Sequence, residues 1–154
     1  MYKKLEQAKL KDGEPVECGL VTGPDAAWAA RIETLLAHKG EPWNWQNSQA
    51  LRAETGLDAR FYLLHRSGEP LAAVCIFAVA GTGIFGHVWT RPQDRRKGAS
   101  DKLIASALSD FTATDGQALF LGTDPACIAH GLYLKHGFKD INSAGHMSWY
   151  AGGR

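Results

Sequence analysis

Apolar and polar residues follow two periodicities along the chain, one typical of strands and one typical of helices. Short, mainly apolar segments predict strands at residues 16–22, 60–65, 71–79, 84–90, 118–121, 138–141 and 146–150. Helical spacing is clearest at Ile104, Ala107, Leu108 and Phe111, which share one face of a helix that ends at Asp115-Gly116.

Further helices are predicted at residues 24–38, at residues 46–55 and between Pro125 and Gly137. Asp124 is expected to cap the last of these. The charged residues 1–15 are expected to be partly mobile. The resulting order, β-α-α-β-β-β-α-β-α-β-β, predicts an α/β protein with a mixed sheet and helices on both faces.

Length and composition favour an ordinary globular protein. The 154 residues, 45% hydrophobic and 21% charged, fit one domain over residues 1–154. A net charge of +1 argues against a general polyanionic or polycationic partner. The charged N-terminus and an apolar run confined to residues 71–80 predict neither a signal peptide nor a membrane span. We therefore expect a cytoplasmic protein without a membrane partner.

Two other patterns predict no cofactor site. Cys18, Cys75 and Cys127 lack the spacing of metal ligands, so we expect reduced thiols and no bound metal. The stretch from Gly81 to Gly86 matches G-x-G-x-x-G, but the sequence after it is strand-like. A dinucleotide-binding loop would open a helix there, so a hairpin turn is favoured.

A basic turn at residues 91–104 carries the strongest functional signal. Arg95, Arg96 and Lys97 precede Gly98-Ala99-Ser100, where the amphipathic helix begins. The first N–H groups of a helix have no partner inside it, and the helix dipole is positive there. Small residues leave these groups accessible, which predicts a phosphate or pyrophosphate site. The alternative is that the cations only solubilise a loop.

Two segments resemble the GNAT N-acetyltransferase superfamily. Residues 95–100 resemble its acyl-CoA pyrophosphate loop, (Gln/Arg)-x-x-Gly-x-(Gly/Ala), and residues 129–138 are similar to its late helix and the following strand. Thr90 stands where the family often has an aliphatic residue, and Ser100 where Gly or Ala is usual. The resemblance implies a GNAT-like, mostly antiparallel sheet that splays between its fourth and fifth strands, here residues 84–90 and 118–123, with acetyl-CoA in the wedge.

The resemblance also implies a set of residues that bind acetyl-CoA. Backbone N–H groups of residues 96–100 would hold the pyrophosphate, neighbouring cations would add charge, and backbone at residues 88–90 would pair with the pantetheine arm. The implied set is Val88, Trp89, Thr90, Arg95, Arg96, Lys97, Gly98, Ala99 and Ser100.

Catalytic roles are implied for Tyr133 and His87. Tyr133 matches the family position that commonly protonates the departing thiolate; the alternative is a packed aromatic side chain. The predicted strand at residues 84–90 has no carboxylate, so His87 is its candidate general base. A water relay, or no dedicated base, is the alternative.

The acceptor is expected to bind near residues 38–49 and 142–147. Trp43 and Trp45 beside Glu41 suit an amine through cation–π and ionic contacts, unless the tryptophans only pack the loop onto the core. The expected reaction is acetyl transfer from acetyl-CoA to a primary amine of a small molecule by direct attack. The alternatives are a non-catalytic acyl-CoA-binding regulatory module and acetylation of a protein or aminoacyl-tRNA amine. A nucleic-acid partner is otherwise not expected, and a homodimer stays open.

Overall fold

The computed structural model describes residues 1–153, and its strands form one mixed sheet in the order β1-β2-β3-β4-β5-β6-β8-β7. The strands are β1 Tyr2–Lys9, β2 Pro15–Thr22, β3 Asp58–Arg66, β4 Glu69–Val79, β5 Thr82–Thr90, β6 Ala118–Gly122, β7 Lys139–Asp140 and β8 His146–Tyr150. The helices are α1 Ala26–Leu36, α2 Trp43–Arg52, α3 Ala99–Ala113 and α4 Ile128–Lys135. Short 3-10 turns follow α1 and β5, at Ala37–Lys39 and Pro92–Asp94.

The sheet divides between β5 and β6, its parallel pair. Their pairing covers only Thr82 to Ile84 against Ala118 to Phe120, whereas β4 follows β5 to Thr90. Beyond Ile84, the edge of β5 that faces away from β4 therefore has no strand partner among residues 1–153. This confirms the predicted splay.

Helices cover both faces of the sheet, as predicted. On one face, Leu103, Ile104, Ala107 and Phe111 of α3 are fully buried against the inner strands. On the other face, residues of α1 and α2 such as Ile32, Leu36 and Leu51 pack on β3 and β4. Because the two apolar faces of the central strands meet different helices, those strands read as nearly continuous apolar runs.

The prediction for residues 1–15 is wrong, because Tyr2–Lys9 form the edge strand β1. Most of its side chains are exposed, and charged residues are common on edge strands, where they oppose pairing with another chain. Tyr2 anchors the strand: its ring stacks on Trp28 at 5.0 Å and its hydroxyl lies 2.7 Å from His65 Nε2.

Three helices begin at other residues than predicted, and the shift is smallest for α1, which begins at Ala26 instead of residue 24. Helix α2 starts at Trp43, so Trp43 and Trp45 lie in its first turns and not in a loop. Helix α4 starts at Ile128 with Cys127 as its N-cap, while the Asp124 carboxylate accepts the N–H of Ala126 in the preceding turn. The predicted hairpin turn between β4 and β5 is confirmed, with Ala80 and Gly81 at positive φ. Within residues 1–153, no helix is long and apolar enough to cross a membrane.

Candidate functional site

The connection between β5 and α3 forms a concave set of backbone N–H groups. Arg96 and Gly98 have φ of 66° and 79°, and α3 begins directly after them. Its first backbone hydrogen bond runs from Lys102 N to Gly98 O at 3.2 Å. The N–H groups of residues 99–101 therefore precede the helical hydrogen bonds and point out of the helix end. Such successive N–H groups suit an anion.

Asp94 anchors the connection between β5 and α3 through ion pairs. Its carboxylate is 2% exposed and accepts from Arg66 at 2.6 Å and from Arg91 at 2.9 Å. Hydrogen bonding from Arg66 is the main reason that its pKa is lowered. Lys97 Nζ lies 3.8 Å from the same carboxylate and 3.3 Å from Asp12. The charges of Arg91 and Lys97 are thus already compensated within the protein.

The two remaining cations of the turn differ in their surroundings. The Arg95 guanidinium lies 4.4 Å from the Trp89 ring centroid, and its Nε donates to Thr90 O at 3.0 Å. Arg96 is exposed and takes part in no ion pair within residues 1–153. Of the three cations predicted for phosphate binding, Lys97 has acidic partners, whereas Arg95 and Arg96 have none within residues 1–153.

Gly98 fits the role expected of a residue under a bound pyrophosphate. Its φ of +79° is unfavourable for other residues, and an added Cβ would lie 3.2 Å from Lys11 Cε. Lys11 N also donates to Lys97 O at 2.9 Å, so the turn between β1 and β2 packs against the connection. The residues present are therefore compatible with the pyrophosphate of an acyl-CoA.

On the α1–α2 face of the sheet, a cavity of about 1000 Å³ lies between α2 and β5. Its walls are mainly apolar and aromatic, with a few polar side chains. They include Trp43, Trp45, Leu57, Phe77, Ile84 and Phe85, together with His38, Lys39, Gln46, Gln49 and His87.

Only part of the predicted acceptor site lines this cavity. Trp43 and Trp45 do, with 46% and 61% of their surface exposed. Glu41 does not: its carboxylate accepts the N–H of Trp45 at 3.2 Å and so caps α2. Residues 142–147 do not line it either. Pairing of the Glu41 carboxylate with an amine stays a prediction, since the group lies outside the cavity lining but has one oxygen free of the helix.

His87 lies on the cavity wall at an irregularity of β5. Cys75 pairs with Gly86 but Ala73 pairs with Trp89, which leaves an extra residue in β5, and His87 has φ of 50°. Its ring centroid is 6.3 Å from that of Phe77. Burial is the main cause that lowers the pKa of His87 to about 4, followed by the charges of Lys39 and His38. His87 is therefore neutral at pH 7.

Tyr133 lies on the opposite face of the sheet, buried beside Phe85 and Phe138 with ring centroids 5.9 Å away in each case. Burial raises its pKa to about 12. Phe85 contacts Tyr133 and also lines the cavity, whereas Tyr133 itself does not line it. The two predicted catalytic residues therefore lie on opposite faces of the sheet.

Trp89 also occupies a different environment from Trp43 and Trp45. It does not line the cavity: its ring stacks on His38 with centroids 3.5 Å apart and packs against the core on the α1–α2 face. Val88, the preceding residue, packs against the other core. Their side chains fix β5 between the two cores, and their backbone lies on the unpaired stretch of the strand.

Two further histidines have structural partners. His130 Nε2 lies 2.7 Å from Asp140, and His136 Nε2 lies 2.7 Å from Asp101. Cys18 and Cys75 are buried free thiols, and Cys127 is a partly buried one. Among residues 1–153, no group of three or more His, Cys, Asp or Glu side chains could hold a metal ion.

The cavity also contains residues that sequence reasoning missed. Phe77 and Leu57 line it but lie outside the segments predicted for the acceptor and for acetyl-CoA. Lys39 also lines it and lies within the predicted acceptor segment, residues 38–49, although the sequence does not single it out. Phe77 lies within an almost wholly apolar strand, where nothing distinguishes a cavity wall from the core.

Comparison with known proteins agrees with the fold described above. The model of the acetyltransferase (GNAT) family matches residues 11–138. The GNAT domain of PAT from S. lividans superposes with a TM-score of 0.70 at 12% identity, over 94% of this chain and 96% of that one. No curated protein matches significantly.

Two other solved structures share the fold. For the ribosomal-protein-S18-alanine N-acetyltransferase from Escherichia coli, the TM-score is 0.68 at 13% identity, over 86% of this chain and 93% of that one. For PaiA N-acetyltransferase from Thermoplasma acidophilum in complex with coenzyme A, the TM-score is 0.60 at 12% identity, over 85% and 98%. Since the family model covers most of the sequence, the chain belongs to the GNAT acetyltransferase family.

Proposed function

We propose that the protein is an acetyl-CoA-dependent N-acetyltransferase that modifies a primary amine of a small molecule. One observation carries the proposal: residues 84–100 contribute to three adjoining features. Ile84 to His87 form a wall of the cavity, the following residues of β5 have an unpaired edge, and the turn into α3 presents N–H groups suited to an anion.

The donor half of the site suits an extended molecule with a pyrophosphate. The N–H groups of Ala99 and Ser100 and the charge of Arg96 would hold the phosphates. Backbone groups of residues 88–90 would pair with the pantetheine arm, as an added strand pairs with a sheet edge. Bound there, acetyl-CoA supplies the acetyl group as a thioester.

His87 is suited to accept a proton from the attacking amine, but not to deprotonate a free alkylammonium. A group with a pKa of about 4 cannot remove the proton of an alkylammonium, whose pKa is about 10. A nitrogen that is forming a bond to the acyl carbon is much more acidic. His87 would therefore accept the proton that the amine loses during attack, while the amine has to arrive neutral.

Tyr133 is suited to protonate the departing sulfur. With a pKa raised to about 12, its hydroxyl keeps its proton throughout the neutral and mildly alkaline range. The proton would pass from the hydroxyl to the thiolate and be replaced from solvent.

Calorimetric titration with acetyl-CoA tests the donor site. Gly98→Glu places a carboxylate at the proposed phosphate position and should abolish binding, whereas Gly152→Glu is the matched control. Gly152 also has φ of +79°, but an added Cβ would meet nothing within 4 Å. Arg96→Glu adds a variant that keeps the glycine and should weaken binding. Absence of binding by the wild-type protein would overturn the proposal.

Release of free CoA thiol in the presence of amines tests the reaction. Thiol release together with an acetylated product supports the transferase. A protein that binds acetyl-CoA but acetylates no amine, small or protein-borne, would instead be a binding module.

A further inference from the structure

The cavity has a positively charged lining without any acidic side chain among residues 1–153. Its lining contains no Asp or Glu, and Lys39 is its one permanently charged residue within the described chain. His38 and His87 both have lowered pKa values and are neutral at pH 7. An acceptor with several positive charges would find no counter-ion here and would be repelled by Lys39.

The charge of Lys39 is available to a ligand. The residue ends the 3-10 turn after α1, is partly buried, and takes part in none of the ion pairs within residues 1–153. Lys39 lines the cavity together with His38 and His87, and its charge helps to lower the pKa of both imidazoles. An anionic group on the ligand would neutralise the unpaired positive charge of Lys39.

The rest of the cavity suits an aromatic or large aliphatic group. The exposed rings of Trp43 and Trp45 lie on the α2 side, and Phe77 and Ile84 lie on the sheet side. Exposed tryptophan surface facing other apolar side chains is typical of a ligand site, since a bound apolar group removes it from water.

We propose that the acceptor is an amino acid, or a close analogue, with an aromatic or large aliphatic side chain, whose carboxylate pairs with Lys39. This inference rests on the proposed function and specifies its acceptor. The apolar group lies between α2 and β5, and the amine lies beside His87. The lysine also helps the reaction, because a nearby cation favours the neutral, nucleophilic form of the amine.

Matched acceptors separate the carboxylate from the rest of the molecule. L-phenylalanine, L-phenylalaninamide and phenethylamine share the aromatic group, while spermidine and kanamycin represent polycations. Initial rates of thiol release at saturating acetyl-CoA give kcat/KM for each. L-phenylalanine should exceed its amide and the polycations by about tenfold or more, as expected for a charge-assisted hydrogen bond.

Lys39→Glu supplies the decisive variant. The wild-type protein should prefer L-phenylalanine to phenethylamine, and the variant should prefer phenethylamine to L-phenylalanine. Lys139→Glu makes the same charge change at an exposed residue of β7 and should leave the preference unchanged. Calorimetric titration with L-phenylalanine in the presence of CoA gives a second readout, independent of turnover. Unchanged acetyl-CoA binding shows that the Lys39→Glu variant is folded.

The outcomes distinguish this inference from the function on which it rests. Preference for the amide, for phenethylamine or for a polycation would overturn the carboxylate pairing but leave the transferase intact. Acetyl-CoA binding without turnover of any of the five acceptors would also overturn the acceptor class. Failure of the wild-type protein to bind acetyl-CoA would overturn the proposed function itself.

Discussion

The hydroxyl oxygens of Thr90 and Ser100 lie 2.9 Å apart, which joins the last residue of β5 to the first turn of α3. These are the two positions at which the chain departs from the GNAT sequence pattern. Their side chains form one hydrogen bond beside the N–H groups of α3, so the departures are a single structural feature. Thr90 is 8% exposed, so its hydroxyl depends on this partner.

The Thr90–Ser100 hydrogen bond should appear as a coupling in a double-mutant cycle. Thr90→Val and Ser100→Ala should each lower the free energy of unfolding by about 1 kcal/mol, because each leaves the other hydroxyl unpaired. The double variant should lose less than the sum, with a coupling of about 0.5–1.5 kcal/mol in urea unfolding. Strictly additive losses would contradict the bond.

Arg96 and Lys97, although adjacent, should contribute differently to acetyl-CoA binding. Arg96 is uncompensated, whereas Lys97 lies near Asp94 and Asp12. In calorimetry, Arg96→Met should weaken binding by about two- to fivefold, the range of one exposed ionic contact. Lys97→Met should have a smaller effect on affinity and should instead lower the melting temperature.

The dependence of acetyl-CoA affinity on ionic strength provides a control for the Arg96 and Lys97 variants. The affinity of the wild type and of Lys97→Met should fall with ionic strength, and the fall should be less steep for Arg96→Met. Equal losses of affinity for both variants would show that the Lys97 charge also reaches the phosphates.

The fold could largely be predicted because its interior segments carry strong patterns. The apolar residues of α3 recur at helical spacing, and β3 and β4 are apolar along almost their whole length, so each sequence is compatible with one way of burying the element. Strand β1 could not be predicted in this way, because an edge strand with exposed charged side chains has little apolar periodicity. Its position depends on pairing with β2, which is a tertiary interaction.

The candidate site could be predicted only where it is local in sequence. The anion-binding turn depends on Gly98 and the start of α3, which are adjacent residues. Compensation of Lys97 by Asp12, and contact of Lys39 and Phe77 with one cavity, depend on residues that are distant along the chain. The hydrogen bond from Trp45 N to the Glu41 carboxylate could not be predicted either, because it depends on where α2 begins.

Tyr133→Phe should reduce kcat without changing acetyl-CoA affinity. Loss of a general acid typically costs about 10²-fold or more, whereas the ring that packs on Phe85 is retained. Tyr150→Phe is the control, since Tyr150 is 39% exposed on β8. Because the pKa of Tyr133 is raised to about 12, the wild-type rate should show no alkaline decline from this residue in the accessible range. An unchanged kcat would assign Tyr133 to packing alone.

His87 should make the protein less stable as pH falls. Burial lowers its pKa to about 4 in the folded protein, while the unfolded value is about 6.5. Between these values the unfolded chain binds a proton that the folded protein does not, so the free energy of unfolding decreases as pH is lowered. His38 and His65 act in the same direction.

Replacement of His87 isolates its share of this pH dependence. Urea unfolding of His87→Gln should depend less on pH between about 6.5 and 4 than that of the wild type. His130→Gln is the control, because His130 lies beside Asp140 at the surface instead of in the cavity. A pH dependence identical to that of the wild type would show that His87 is solvated in the folded protein.

Asn47→Leu should stabilise the protein. Asn47 is 1% exposed on α2, and both polar atoms of its amide lack a hydrogen-bond partner within residues 1–153. Unpaired buried polar groups cost about 1–3 kcal/mol, so leucine, of similar shape, should raise the free energy of unfolding by about 1 kcal/mol. Asn44→Leu, on the same helix, should do the opposite, because Asn44 donates to Ala37 O at 3.0 Å. Urea unfolding of both variants should therefore give shifts of opposite sign, and a destabilised Asn47→Leu would mean that the amide is paired in solution.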